Sequence, residues 1–211
     1  YGVAIIPETY LLHPKKSKRL ISATILEDNP FDDTDFPVVV IVWGKDERTD
    51  YDIYKNDTFV GTQNSLISLV PESKNINKDV IKFNDPNGNL GIVCIDKGDL
   101  IGGIKFTTPD QIKGAIKVSS RTSTKLQVQT DIDMSSLIDQ CNLILKKYRA
   151  DTFDVFMAPF KGNDQTGSRR RLDFTTARLI IENALVDLGY EVPEPKSKFK
   201  NEYDRLYVQE K

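Results

Sequence analysis

The sequence predicts an α/β region at the start of the chain, followed by a mixed α+β region. Three observations predict this. Residues 38–42 (VVVIV) form an unbroken β-branched run after Pro37; without polar alternation it reads as a strand covered on both faces. Residues 53–129 hold short apolar runs separated by turn signals. After residue 134 apolar residues recur at helical spacing.

In chain order, residues 3–6 (VAII) are a first strand that runs into Pro7, a turn and a short helix. His13-Pro14 punctuates, and residues 15–20 make about one and a half turns of basic helix. Residues 22–26 read as a strand pairing antiparallel with 38–42 across a loop that carries Phe31. The charged string 45–52 (KDERTDYD) sets a domain boundary, giving units 1–50 and 51–192 and a charged tail from 193 to 211. Residues 53–60 read as a strand and 66–70 as a short apolar run. Residues 80–83 and 90–95 flank Asp85-Pro86-Asn87-Gly88, a turn signal that predicts a hairpin. Residues 101–106, 115–118 and 126–129 are further short strands.

Leu137, Ile138, Cys141, Ile144, Leu145 and Tyr148 then stand at three- and four-residue steps, an amphipathic helix with Asp133 as its N-cap. Lys146, Lys147 and Arg149 suit its C-terminal dipole. Residues 153–160 are extended and 162–171 form a polar loop. Asp173 caps a second helix over 175–188, which Gly189 closes.

Composition narrows the function. The 211 residues are 39% hydrophobic and 28% charged, with no apolar run long enough to span a membrane, so a cytoplasmic location is expected. Cys94 and Cys141 lie far apart without metal-ligand spacing and read as reduced core residues. The single His13 excludes a multi-histidine metal site, and no Gly-x-Ser-x-Gly elbow accompanies it. Asp32, Asp33 and Asp35 lack the glycine and glutamate of an EF-hand and read as turn residues. No metal is expected. A net charge of −2 says little about nucleic acid, because the distribution of charge matters more than its sum.

That distribution is uneven. Residues 113–125 (KGAIKVSSRTSTK) carry Lys113, Lys117, Arg121 and Lys125 among serines and threonines, with no acid. Cations and small hydroxyls suit phosphate oxygens; a solvated hairpin tip would look the same. Residues 162–171 (GNDQTGSRRR) hold Asn163 and Gln165, which can pair bidentately with adenine. Arg169, Arg170 and Arg171 suit guanine or phosphate. The other reading is a basic loop of no function. Phe31, on the acidic loop before the aliphatic strand, is either a plug under the loop or an exposed ring for a planar ligand.

Residues 1–12 and 29–43 together resemble the second half of the catalytic domain of adenine-specific DNA methyltransferases of the amino-methyltransferase type. The match is a hydrophobic run, proline, polar residues, aromatic and leucine (Ile5-Ile6-Pro7-Glu8-Thr9-Tyr10-Leu11). A hairpin follows, with an aromatic in its loop and a strongly aliphatic second strand. It covers roughly a fifth of the chain.

The resemblance implies the tail end of a Rossmann-like methyltransferase sheet followed by a target-recognition domain, with double-stranded DNA as partner. Phe31 would stack on the adenine swung out of the helix. S-adenosylmethionine would be the donor. The family's glycine-rich donor turn and its Asn-Pro-Pro-Tyr tetrapeptide do not occur; the nearest string, NDPNG at 84–88, has the wrong residues. No catalytic residue is therefore expected in this chain, which would be inactive without an N-terminal half lost or carried on another polypeptide. The alternative is a non-enzymatic DNA- or protein-binding module that only resembles a methyltransferase tail.

Overall fold

Strand β1 (Gly2–Pro7) runs antiparallel to β3 (Val38–Trp43), and β3 runs antiparallel on its other side to β2 (Leu20–Ile25). The predicted pairing across the Phe31 loop is thus present. These come from a computed structural model that describes residues 1–12, 18–27, 31, 36–96, 103–112, 122–160 and 169–192. The expected basic helix over 15–20 falls mostly outside the described residues, and Leu20 already belongs to β2. The expected strand at 115–118 also lies outside them.

The sheet continues through β4 (Asp52–Lys55), parallel to β2, and β5 (Thr58–Thr62), antiparallel to β4, in the order β1-β3-β2-β4-β5. It is a mixed sheet, and residues on both sides of position 50 build it. Asn56, with φ 48°, makes the tight β4–β5 turn, and asparagine tolerates that left-handed conformation. Helix α1 (Gln63–Ile67) follows, held by a capping box between Thr62 and Ser65. The 66–70 run is therefore partly helical.

Register separates the two faces of this sheet. Ala4, Ile6, Ala23, Ile25, Val39, Ile41 and Ile53 share the inner face, and the last five of these are fully buried. Leu11, Leu20, Tyr51, Leu66 and Val155 complete this core. The outer face carries Val3 opposite Val42 and Ile5 opposite Val40. Val3 is 67% exposed and Ile5 49%, and Val40 and Val42 are only partly buried. The expectation that β3 is covered on both faces is corrected: an apolar run fixes the strand, not what packs on its second side.

A second sheet has four strands: β6 (Ile81–Phe83), β7 (Leu90–Val93), β8 (Lys105–Thr107) and β9 (Ser123–Val128), in the order β6-β9-β7-β8, all antiparallel. The hairpin expected between 80–83 and 90–95 does not form, because β9 inserts between β6 and β7. The turn itself is real: Asn87 N donates to Asp85 Oδ1 at 2.9 Å and Gly88 N to Asp85 O at 3.1 Å. It bridges across β9 instead of joining neighbours. Gly88 permits the crossing, since a Cβ there would lie 2.3 Å from the Leu126 carbonyl oxygen. Asn89 locks it, accepting from Val128 N and donating to Val128 O.

Helices α2 (Met134–Asp151) and α3 (Phe174–Asp187) cover one face of this sheet. Asp133 and Asp173 cap them as predicted, through Ser136 N and Thr176 N, and Gly189 ends α3 at φ 92°. Asn142 of α2 satisfies the edge strand β8, accepting from Phe106 N and donating to Phe106 O. Both cysteines are buried and unpaired, as expected. The chain is a mixed α/β protein dominated by sheet. Among the described residues no helix is long and apolar enough to cross a membrane, and no cluster of side chains could hold a metal ion.

Candidate nucleic-acid interface

The end of the first sheet where β1 stops is built around Glu8. Pro7 closes β1, and a 3₁₀ helix (Glu8–Leu12) begins with Glu8 N donating to Pro37 O at 2.9 Å. Pro37 leads into β3, so the Phe31 connection leaves the sheet at this same end. Phe31 is 39% exposed, well outside the range of the core residues. Phe36, near it in sequence, is exposed too.

The arginines at 169–171 do not extend the polar loop expected there. They form β11 (Arg169–Arg171), paired with β10 (Ala158–Phe160) in a two-stranded ribbon, with Phe160 opposite Arg169 and Pro159 opposite Arg170. On its other side β11 joins the chain leaving β7: Leu172 N donates to Cys94 O at 2.8 Å and Asp96 N to Arg170 O at 3.1 Å. Alternation then sorts the side chains. Arg170 points inward and is 9% exposed, and its Nη1 donates to Glu8 Oε1. Arg169 and Arg171 stand on the opposite face, partly exposed, and the Arg169 guanidinium lies 5.5 Å from the centre of the Phe160 ring.

Glu8 is 2% exposed and its second oxygen, Oε2, has no hydrogen-bond partner among the described residues. Burial raises its pKa above the usual carboxyl value, with Arg170 opposing the shift. The ion pair ties the ribbon to the sheet end from which the Phe31 loop emerges. β10 also packs on the 3₁₀ helix.

A second charged knot holds the ribbon's approach. Arg149 donates to both oxygens of Asp96 (3.1 and 3.0 Å) and both oxygens of Asp154 (2.9 and 2.8 Å). Burial acts to lower its pKa, but the two carboxylates outweigh burial and hold it high. Phe153 and Asp154 carry left-handed φ values of 52° and 60°, unusual for consecutive non-glycine residues. The turn they make sends Val155 into the first core and Met157 into the second, while Phe156 packs against both.

Of the other predicted contacts, Lys125 lies on β9 and is partly exposed. Lys113, Lys117, Arg121, Asn163 and Gln165 fall outside the described residues, as do Asp32, Asp33 and Asp35. The structure therefore brings the arginine ribbon and the Phe31 end of the sheet together through Arg170, a residue whose own side chain is committed to Glu8. Sequence reasoning passed over Glu8 and Phe160. The only signal for Glu8 was a carboxylate directly after the strand-ending proline; Phe160 carried none without the ribbon's register.

The chain matches no family model, and no curated protein or solved structure matches it significantly.

Proposed function

We propose that this chain supplies the flipped-base stacking loop and the target-recognition part of a site-specific DNA adenine methyltransferase. The observation that carries the reading is the order of β1, Pro7, short helix and antiparallel β2–β3 hairpin, with an exposed Phe31 in the hairpin connection. In this reading the first sheet is the tail end of a Rossmann-like methyltransferase sheet. An adenine leaving the duplex loses a few kcal/mol of stacking and pairing, and an aromatic face such as Phe31 offsets part of that loss.

The arginine ribbon supports the same reading, because its tether to Glu8 sets it at the Phe31 end. Arg169 and Arg171 are the ribbon's candidates for base edges or phosphate, and Arg170 orients them. Asn163 and Gln165, in the connection between β10 and β11, would reach base edges, and Lys113, Lys117, Arg121 and Lys125 phosphates. Double-stranded DNA is the partner, and the cytoplasm is the compartment.

S-adenosylmethionine, the implied donor, does not fit the described residues. Within the described residues no strand runs into a glycine-rich turn (the glycine-bearing stretches after β7 and β10 lie outside them), and the carboxylate nearest the end of β1, Glu8, is spent on Arg170. Donor binding and the chemistry belong in this reading to residues that this sequence does not contain. The chain alone is thus expected to bind duplex DNA at low salt and to transfer no labelled methyl group from S-adenosylmethionine. Transfer by the isolated chain would overturn the division of labour, and failure to bind any duplex would overturn the DNA reading.

A further inference from the structure

The outer face of the four-stranded sheet has a composition unlike the rest of the molecule. Register identifies its members. Lys82 of β6 lies opposite Gln127 of β9, and Gln127, Lys125 and Ser123 alternate along β9. Lys125 lies opposite Gly91, which lies opposite Thr107. Ser123 lies opposite Val93, which lies opposite Lys105. Directly opposed residues share a face, so all of these point away from α2 and α3. The intervening positions agree with the sorting: Ile81, Leu90, Ile92, Phe106, Leu126 and Val128 are buried in the helix-covered core.

The face thus presents three lysines from three different strands, with a threonine, a serine, a glutamine and a valine and no carboxylate at any outward strand position; between the lysines Gly91 is buried, with Thr108 and Ile112, which flank the 3₁₀ helix Pro109–Gln111, packed over it, so the lysines border a short ridge. Among the described residues none of the three lysines makes a salt bridge, so each ammonium is available to an anion. Two acids stand near the face. Asp85 caps Asn87 N, and Asp110, on the 3₁₀ helix Pro109–Gln111, accepts from Gln111 and feels Lys125 only through its charge.

We propose that this face is a DNA-contacting surface that holds the sugar-phosphate backbone of duplex DNA through Lys82, Lys105 and Lys125. The proposal rests on the reading that the chain binds duplex DNA, and it adds Lys82 and Lys105. From β6 to β8 are three strand spacings, about 14 Å. A duplex carries one phosphate charge per about 1.7 Å of its axis, so the three ammonium groups meet separate phosphates. Lysine suits such contacts, because a mobile, hydrated point charge neutralises a phosphate without demanding a sequence, where the planar arginines of β11 suit bidentate contacts. The face fixes the duplex in place, and the ribbon reads it.

The test is fluorescence anisotropy of the full chain with two labelled mixed-sequence duplexes, one A·T-rich and one G·C-rich, over a series of salt concentrations. Lys82→Gln/Lys105→Gln should flatten the plot of log affinity against log salt by about two units, since each phosphate contact contributes about 0.9. The loss should be alike for both duplexes. Lys82→Arg/Lys105→Arg should keep the slope, which separates lost charge from misfolding. A wild-type chain that binds no duplex would take the DNA reading down with this one. Wild-type binding with an unchanged slope in the glutamine variant would overturn this face alone. Equal binding of duplex RNA with the same lysine dependence would overturn the choice of DNA as partner.

Discussion

The five-stranded sheet turns Val3, Ile5, Val40 and Val42 outward, whereas the four-stranded sheet turns Lys82, Lys105, Lys125 and Gln127 outward. Inward, the two are alike, with fully buried aliphatic side chains in each. Along β6, β8 and β9 the second sheet alternates inward apolar and outward polar residues, while the outward Gly91 of β7 is covered by Ile112. It packs its dry face on two long capped helices. The first sheet has an aliphatic strip on its outer face and, among the described residues, is covered inward by the 3₁₀ helix, α1 and single residues such as Val155. One sheet is complete within the described residues; the other has apolar surface in excess of what those residues cover.

The two regions meet through the Glu8–Arg170 pair, and the largest expected effect tests that junction. Arg170→Met leaves the Glu8 carboxylate buried without its cation, a loss of about 3–5 kcal/mol in urea unfolding at neutral pH. Glu8→Met/Arg170→Met removes both charges and should recover most of the loss. The pH dependence follows from the raised pKa of Glu8, caused first by burial. The folded state holds that proton more tightly than the unfolded chain does. Glu8's contribution is therefore greatest below its usual value of 4.5 and declines as pH rises through the higher folded pKa. Wild type should accordingly lose stability relative to Glu8→Gln over that rise, and the cost of Arg170→Met should shrink in acid. A harmless Arg170→Met at neutral pH would mean that the two regions are held together elsewhere.

What was legible in the sequence was local. The helices, the Asp133 and Asp173 caps and Gly189 are set by contacts within four residues, so spacing and cap chemistry found them. The β2–β3 pairing was also legible, since one loop joins its strands. The β6–β7 hairpin was not, because the partner that displaces it, β9, lies some forty residues further along, and turn chemistry is the same whether a turn joins neighbours or bridges a third strand. Arg170 was misread for a related reason. Three consecutive arginines look equivalent until a strand sends the middle one inward, and the glutamate that receives it is 162 residues away. The outward lysines of β6 and β8 were in the sequence as Ile-Lys-Phe and Lys-Phe-Thr, but strands of three residues give too little periodicity to assign a face.

A smaller effect concerns Phe31, which belongs to neither core. In a complete enzyme Phe31→Ala should weaken capture of a flipped base by about 1–3 kcal/mol. Its urea midpoint should move little, because the side chain is 39% exposed. A 2-aminopurine at the target position should brighten less with the variant. Loss of folding instead would return Phe31 to the role of a plug and assign the loop to the first core.

The smallest expected effect bears on the comparison most directly. Ile5 sits on the edge strand β1, opposite Val40 on the outer face, and is 49% exposed. If that face is in water, Ile5→Ser exchanges one exposed side chain for another and should change stability by no more than about 0.5 kcal/mol. The substitution leaves the inner face and the β1–β3 hydrogen bonds intact, because its neighbours Ala4 and Ile6 carry the inward positions. Burial of a whole isoleucine contributes about 1.5–3 kcal/mol, so a loss of that size could not come from the sheet as described. It would require the aliphatic strip to be covered in solution, and the first sheet would then be as complete as the second. Urea unfolding at two protein concentrations decides the matter, since a strip covered by a second copy of the chain would make the loss grow with concentration.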